Sequence, residues 1–211
     1  MASLTDLNAK GLSGNWLLDK KLSDDVGPIL KLQGLGWLMR KAICAATMVV
    51  TFAEHRQEGT SDTYLTFDQT LKGIHTLSEK RVLDWTEQDH SDDVFGDVII
   101  RSQLIGGEKG EDGKIYANAT LETNLTRDPR AEADAKQHLR CGTLASAKEQ
   151  DVVYLHDFIR SKSGAWTMEQ IWAIELIEGK RFLARYAVVA KDSSVELRRC
   201  FYSWMEPGDS L

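Results

Sequence analysis

The sequence predicts an all-β protein, a closed antiparallel up-and-down barrel of about ten strands with a short helix-turn-helix lid. Three observations predict it. From Ala45 onward, runs rich in apolar and β-branched residues recur between polar turns at intervals of about 8–12 residues. No alternation of strands with helices, the mark of a parallel sheet, runs through the chain, and closure of an antiparallel sheet leaves no edge exposed. Only one compact stretch, residues 24–44, carries the three- and four-residue apolar spacing of helices.

In chain order, Ser13-Gly14-Asn15 opens a first strand, Trp16-Leu17-Leu18, which stops at the charged cluster Asp19-Lys20-Lys21. Ser23 is placed to N-cap a helix whose first turn holds Asp24 and Asp25, where the helix dipole favours negative charge. Val26, Ile29, Leu30 and Gln33 share one face, and Gly27-Pro28 implies an irregular first turn. After Gly34 and Gly36 a second helix is expected, with Leu35, Leu38, Met39 and Ala42 as its apolar stripe and Arg40 and Lys41 opposite. One strand and two small helices cannot bury a core of their own, so the helix pair is expected to cap the barrel as a lid.

The strands then follow one another. Ala45–Ala53 is β-branched, Glu54–Asp62 is a polar turn around Gly59, and Thr63–Gln69 alternates. Leu71–Leu77 and Lys80–Glu87 come next, Asp89–Asp93 reads as a turn, and Val94–Ile105 as one long strand with Gly96 easing a bend. Gly106–Gly113 is a loop and Lys114–Leu125 alternates again. Residues 126–150 form an insertion, a polar segment begun by Asp128-Pro129 and expected to hold a short helix near Arg130–Leu139 or a mobile excursion. Val152–Arg160, Thr167–Ile177, Arg181–Ala190 and Val195–Trp204 complete the meander, and residues 1–211 read as a single domain.

Composition narrows the function. The 211 residues carry a formal charge of -6 and a pI near 5.4 without a basic stripe, so no nucleic-acid partner is expected. No run approaches the roughly 18 apolar residues of a membrane helix, and the first ten residues lack an apolar signal core, so no membrane span and a cytoplasmic location are expected. Cys44, Cys141 and Cys200 are too scattered for a disulfide framework or a zinc site. His55, His75, His90, His138 and His156 show no metal-binding spacing. GxSxG, P-loop and GxGxxG segments are missing, so neither a metal nor a cofactor is expected, and hydrolase, NTPase and dinucleotide readings lack support. Nothing in the sequence indicates an oligomeric state.

Two resemblances sharpen this. Gly14-Asn15-Trp16, Leu32-Gln33-Gly34-Leu35-Gly36-Trp37 and Arg40-Lys41 resemble the opening of the intracellular fatty-acid-binding proteins, small members of the calycin superfamily. That resemblance implies a barrel, a helical lid and a hydrophobic ligand inside. The closing strands EQIWAIELIEGK, RFLARYAVV and VELRRCFYSW are similar to the last three of that family, whose final strand presents an Arg-X-Tyr pair to the ligand carboxylate. Arg199-Cys200-Phe201 is the nearest equivalent, with Phe201 in place of the tyrosine, Tyr202 at the opposite parity, and apolar Ile174 where the family has a further arginine. A simple fatty acid is therefore a poor fit. Arg199 shares parity with Val195, Leu197 and Phe201, and an arginine buried on an apolar face needs a partner. That partner is an oxygen-rich ligand or an internal acid such as Asp68 or Glu175, unless a bulge turns Arg199 outward.

Along most of its length, through LQGLGWLMRKAI, KRVLDWTEQDHSDDVFGDV and MEQIWAIELIEGKRF, the chain also resembles a group of small fungal calycin-like proteins. Some of these are credited with intermolecular hetero-Diels–Alder cyclisation, a [4+2] union of a tropolone-type o-quinone methide with a humulene-type sesquiterpene. The implied partners are polyketide-derived and terpenoid small molecules held in an apolar cavity. Such a reaction needs no covalent nucleophile; positioning supplies roughly 7–11 kcal/mol in intramolecular models, and a donor on the quinone-methide oxygen adds electrostatic help. Arg199, Tyr64 and Arg101 are the candidate catalytic donors. Trp37, Arg40, Trp85, Tyr116, Trp172, Tyr186 and Phe201 are the candidate substrate-binding residues. Strand alternation turns about half of Tyr64, Trp85, Arg101, Tyr116, Tyr154, Trp172, Arg185 and Tyr186 inward without saying which half. The competing reading is a non-catalytic intracellular carrier of fatty acids or other hydrophobic metabolites; a third is a barrel filled by its own side chains.

Overall fold

The computed structural model describes residues 11–56, 63–125, 127–140 and 153–206. Among them the elements run β1 (Gly14–Leu18), α1 (Gly27–Leu32), α2 (Trp37–Ala45), β2 (Met48–Arg56), β3 (Thr63–Leu71), β4 (His75–Val82), β5 (Gln88–Asp92), β6 (Gly96–Lys109), β7 (Ile115–Ala117), α3 (Pro129–Leu139), β8 (Val153–Ser161), β9 (Thr167–Ile177), β10 (Lys180–Lys191) and β11 (Ser194–Trp204). Every pairing is antiparallel, in the order β4-β3-β2-β1-β11-β10-β9-β8-β6-β5, with β7 added to β6. The two ends of this path, β4 and β5, are consecutive in the chain. Residues 83–87 bend between them, Trp85 taking φ 64. At the bend Asp84 bridges to Gln103, and the Trp85 N–H donates to the Ser102 carbonyl at 3.0 Å. The sheet thus curls back on itself through a kinked strand.

Several boundaries differ from the sequence expectation, each for a physical reason. Asp89–Asp93, expected as a turn, mostly belongs to β5. Its polar residues pair with β6, Ser91 Oγ donating to Asp97 at 2.7 Å, while Asp92 Oδ1 accepts the Val94 and Phe95 amides and makes the turn two residues later. β3 runs on to Leu71, and β4 begins at His75 after a turn in which Gly73 adopts φ +79. Of Lys114–Leu125 only Ile115–Ala117 is laddered. The alternation continues in Ala119, Leu121 and Leu125, but this side of the segment packs on the barrel exterior instead of joining the sheet.

Ser23 does not cap α1, whose N-cap is Val26 without a side-chain bond. Ser23 Oγ instead accepts the Phe201 amide at 2.9 Å and Asp24 Oδ2 accepts the Arg199 amide at 2.7 Å, so these side chains satisfy β11 backbone. In α2 the buried residue is Ile43, whereas Leu38, expected in the apolar stripe, is 75% exposed. The helix expected in the insertion is α3; Asp128 caps it by accepting the Arg130 and Ala131 amides. The rest of the insertion beyond Arg140 lies outside the described residues.

Two cores result. Inside the barrel, Trp16, Phe52, Leu65, Leu155 and Trp172 pack in one cluster with Ile29, Leu30 and Ile43 of the helix pair. Trp16 meets Trp204 edge-on at 5.0 Å, and Gly14 is required there because a Cβ would come within 2.2 Å of the Trp204 ring. A second core lies outside the wall, where Ile115, Leu125, Ala135 and Leu139 cover Tyr154, Ile171 and Val188. β8 and β9 are therefore buried on both faces, the polar His156, Asp157, Glu169 and Gln170 included.

Candidate active site in the barrel interior

The barrel interior holds a cavity whose empty volume is about 890 Å³ when the open solvent at its mouth is counted. Val26, Ile29, Leu30, Gln33 and Ile43 from the helix pair cover one end; Phe67, Leu71, Leu77, Val98, Ile100 and Ile159 supply much of the wall. Pairing register sets the rest. On β9 the residues facing the cavity are Met168, Gln170 and Trp172, on β10 Arg185, and on β11 Cys200 and Tyr202.

One side of this apolar chamber is polar and built around Asp157, which is fully buried. Its Oδ2 accepts Arg81 Nη1 at 2.5 Å, Gln170 Nε2 at 2.8 Å and Trp172 Nε1 at 3.0 Å, while Oδ1 accepts Ser102 Oγ at 2.6 Å. Arg81 also donates through Nε and Nη2 to Glu79 Oε2, at 2.9 and 2.6 Å, and lies 4.2 Å over the Phe67 ring. Burial alone pulls the Arg81 pKa down, but Asp157 and Glu79 raise it above its ordinary value, so this cation is held charged and neutralised.

Arg185 is different. Its Nε donates to Gln170 Oε1 at 2.7 Å, its Nη2 approaches Met168 Sδ at 3.4 Å, and its guanidinium lies 5.2 Å from the Trp172 ring. Among the described residues it makes no ion pair with a carboxylate. Tyr202 stands next to it; burial pushes the phenol far above its ordinary pKa, with a smaller upward push from Cys200 and a downward pull from Arg185, so its hydroxyl stays a neutral donor. His90 and Asp92 complete the polar side, His90 Nε2 lying 3.7 Å from Glu79 Oε1 without a hydrogen bond.

Of the candidate catalytic and substrate-binding residues chosen from sequence, Trp172 alone lines this cavity. Trp37 and Arg40 border a separate surface groove beside α1 and α2, with Trp37 66% exposed and Arg40 Nη1 bonded to the Leu35 carbonyl. The others sit on the outside of the wall. Tyr64 stacks on His55 beneath Lys80. Arg101 pairs with Glu122 and packs between Trp85 and Phe158. Tyr116 bonds to Asp112, and Tyr186 to Glu175. Phe201 packs with Phe182 in an outer cluster, and Arg199 lies 5.0 Å over its ring. The apolar face of β11 that carries Arg199 is thus the outer one, apolar because α3 and its neighbours cover the wall; the inward parity belongs to Cys200 and Tyr202. Arg185, weighed as an inward side chain though not chosen as a donor, does line the cavity; Arg81, Gln170 and the buried Asp157 behind them went unselected, although Asp157 and Gln170 each interrupt an apolar run in its strand. No group of three or more His, Cys, Asp or Glu side chains among the described residues is placed to hold a metal ion. No helix among them is long and apolar enough to cross a membrane.

No family model matches the chain. Curated relatives do. A probable pericyclase of Mollisia scopiformis is 28% identical over 207 residues, 98% of this chain and 96% of that protein. A pericyclase of an Acremonium species is 23% identical over 208 residues, 98% of each. The chain is similar to pericyclases from end to end. Among solved structures, a mutant of the REP1-NXSQ fatty acid transporter superposes with a TM-score of 0.50 at 13% identity, covering 93% of this chain and all of that one. The fold is accordingly that of the fatty-acid-binding, calycin-like barrels.

Proposed function

We propose that this chain is a pericyclase that carries out a [4+2] cycloaddition inside its barrel, in the finer reading a hetero-Diels–Alder union of a tropolone-type o-quinone methide with a humulene-type sesquiterpene. Full-length similarity to two pericyclases supports the reaction class. The observation that carries the reading is Arg185, a cation aimed into an apolar chamber with an amide, a thioether and a phenol about it. Apolar walls hold diene and dienophile together, which lowers the entropic part of the barrier. Arg185 and the neutral Tyr202 hydroxyl donate to the oxygen on which negative charge grows, most effectively where water is excluded. Arg81, already tied to two carboxylates, serves as structure.

The test incubates the protein with a quinone-methide precursor and the sesquiterpene and follows the rate and stereoisomer ratio of adduct against the spontaneous reaction. Acceleration that falls about a hundredfold in Arg185→Met supports the reading. Saturable binding with unchanged product identifies a carrier of hydrophobic metabolites instead, and absence of binding identifies a barrel filled by its own side chains.

A further inference from the structure

We infer that Asp157 is a positioning residue that aims Arg185 into the cavity through two separate arms, the Gln170 amide and the Trp172 indole. This rests on the reading of Arg185 as the donor to substrate. Asp157 sits on β8, Gln170 and Trp172 on β9, and Arg185 on β10, three strands adjacent in the sheet. Asp157 lies opposite Gln170, and Trp172 lies opposite Arg185.

The first arm follows from hydrogen-bond chemistry. A carboxylate only accepts and a guanidinium only donates, so Gln170, between them, has one satisfying orientation: Nε2 to Asp157 at 2.8 Å and Oε1 to Arg185 Nε at 2.7 Å. Flipping the amide would set donor against donor and acceptor against acceptor. The second arm is aromatic. Asp157 accepts Trp172 Nε1 at 3.0 Å, which fixes the ring that the Arg185 guanidinium faces at 5.2 Å. With Nε occupied and one face covered, the Arg185 Nη groups are directed along the cavity wall toward Met168 and Tyr202. Arg81 and Ser102 hold Asp157 itself at 2.5 and 2.6 Å, so the anchor does not depend on the groups it orients.

Asp157→Asn is a poor probe, because Ser102 Oγ can accept from the new amide and keep Oδ1 facing the other donors. Asp157→Leu removes the anchor, and Gln170→Met and Trp172→Phe sever one arm each while leaving the buried Arg81–Asp157 pair. Each variant is made in the wild-type and in the Arg185→Met background, its native melt is recorded, and cycloaddition is followed as separate kcat and KM. Exchange of the Arg185 Nε–H with solvent is measured by NMR in each protein that retains Arg185. Each arm variant is expected to lower kcat about tenfold with little change in KM, and to speed Nε–H exchange. The same change in the Arg185→Met background is expected to cost clearly less than in the wild-type one, since its target is gone and only its own contact with the cavity is altered. Equal factors in both backgrounds, or Nε–H exchange unmoved by both arm variants, would overturn the inference even where Asp157→Leu fails to fold. If Arg185→Met leaves the rate unchanged, the functional reading of Arg185 falls, while Nε–H exchange still decides whether Asp157 aims it.

Discussion

Glu169 holds the outer layer onto the barrel, and replacing it shows how much that layer contributes. Its carboxylate is fully buried behind β9, where it accepts the Glu122 amide at 3.0 Å, the Thr123 amide at 2.8 Å and His156 Nε2 at 2.9 Å. His156 Nδ1 in turn lies 3.3 Å from Gln103 Nε2, and because a carboxylate only accepts, the ring carries a proton on Nε2 toward Glu169. Each bond to a charged acceptor contributes about 1.5–3 kcal/mol net. Glu169→Leu leaves two backbone donors and an imidazole facing hydrocarbon, but residues 118–125 can lift into water, which limits the loss. A decrease in unfolding free energy of about 3–5 kcal/mol is expected. Glu169→Gln is expected to cost only about 1 kcal/mol. Its single oxygen can take the two amides while its NH2 turns to His156, whose proton moves to Nδ1 as the Gln103 amide flips to receive it. Urea unfolding of both variants, with amide exchange at Glu122 and Thr123, measures the difference. Equal losses for Leu and Gln, or unchanged protection of those two amides in Glu169→Leu, would refute the account.

Three further outcomes are expected. Burial pushes the Glu175 carboxyl above its ordinary 4.5, against the pull of the Tyr186 hydroxyl and Arg199. Its ionisation therefore opposes folding, and the stability gap between Glu175→Gln and wild type should open as pH rises above 4.5 and level off beyond the folded value, as read from melts across that range. Burial lowers the His138 pKa below 6.5 although its Nε2–H donates to the Arg198 carbonyl at 3.1 Å. Stability contributed by the neutral ring should be lost as pH falls through 6.5 and below, and His138→Gln should flatten that slope in the same melts. Gly34 adopts φ +92 with open space where a Cβ would go, so Gly34→Ala should cost about 1 kcal/mol through backbone strain alone and leave ligand entry rates unchanged in stopped-flow binding.

The barrel was legible because its strands repeat one physical signal, alternation between turns, and because Gly14-Asn15-Trp16 and the helix pair follow at a family-like distance. The interior was not. Alternation separates two faces but names neither, and the usual rule that the apolar face is the inner one fails wherever something else covers the outside. α3 and residues 118–125 do so here, which made the Arg199 face of β11 look internal. The inner face of the same strand carries Cys200 and Tyr202, beside Arg185, and no local pattern announces it. Asp157 escaped notice for a related reason: four donors from β4, β6 and β9 make a buried carboxylate tolerable, and none is near it in sequence.

The kink between β4 and β5 has a mechanical consequence. A hoop laddered all the way round can change girth only by straining many rungs together. In this one, compliance gathers at a single joint, where Asp84 meets Gln103 and the Trp85 amide meets Ser102. Parting those contacts costs on the order of 1–3 kcal/mol, far less than repacking Phe67, Trp172 and Tyr202. Any widening of the chamber is therefore expected to begin at that joint, ahead of the laddered wall.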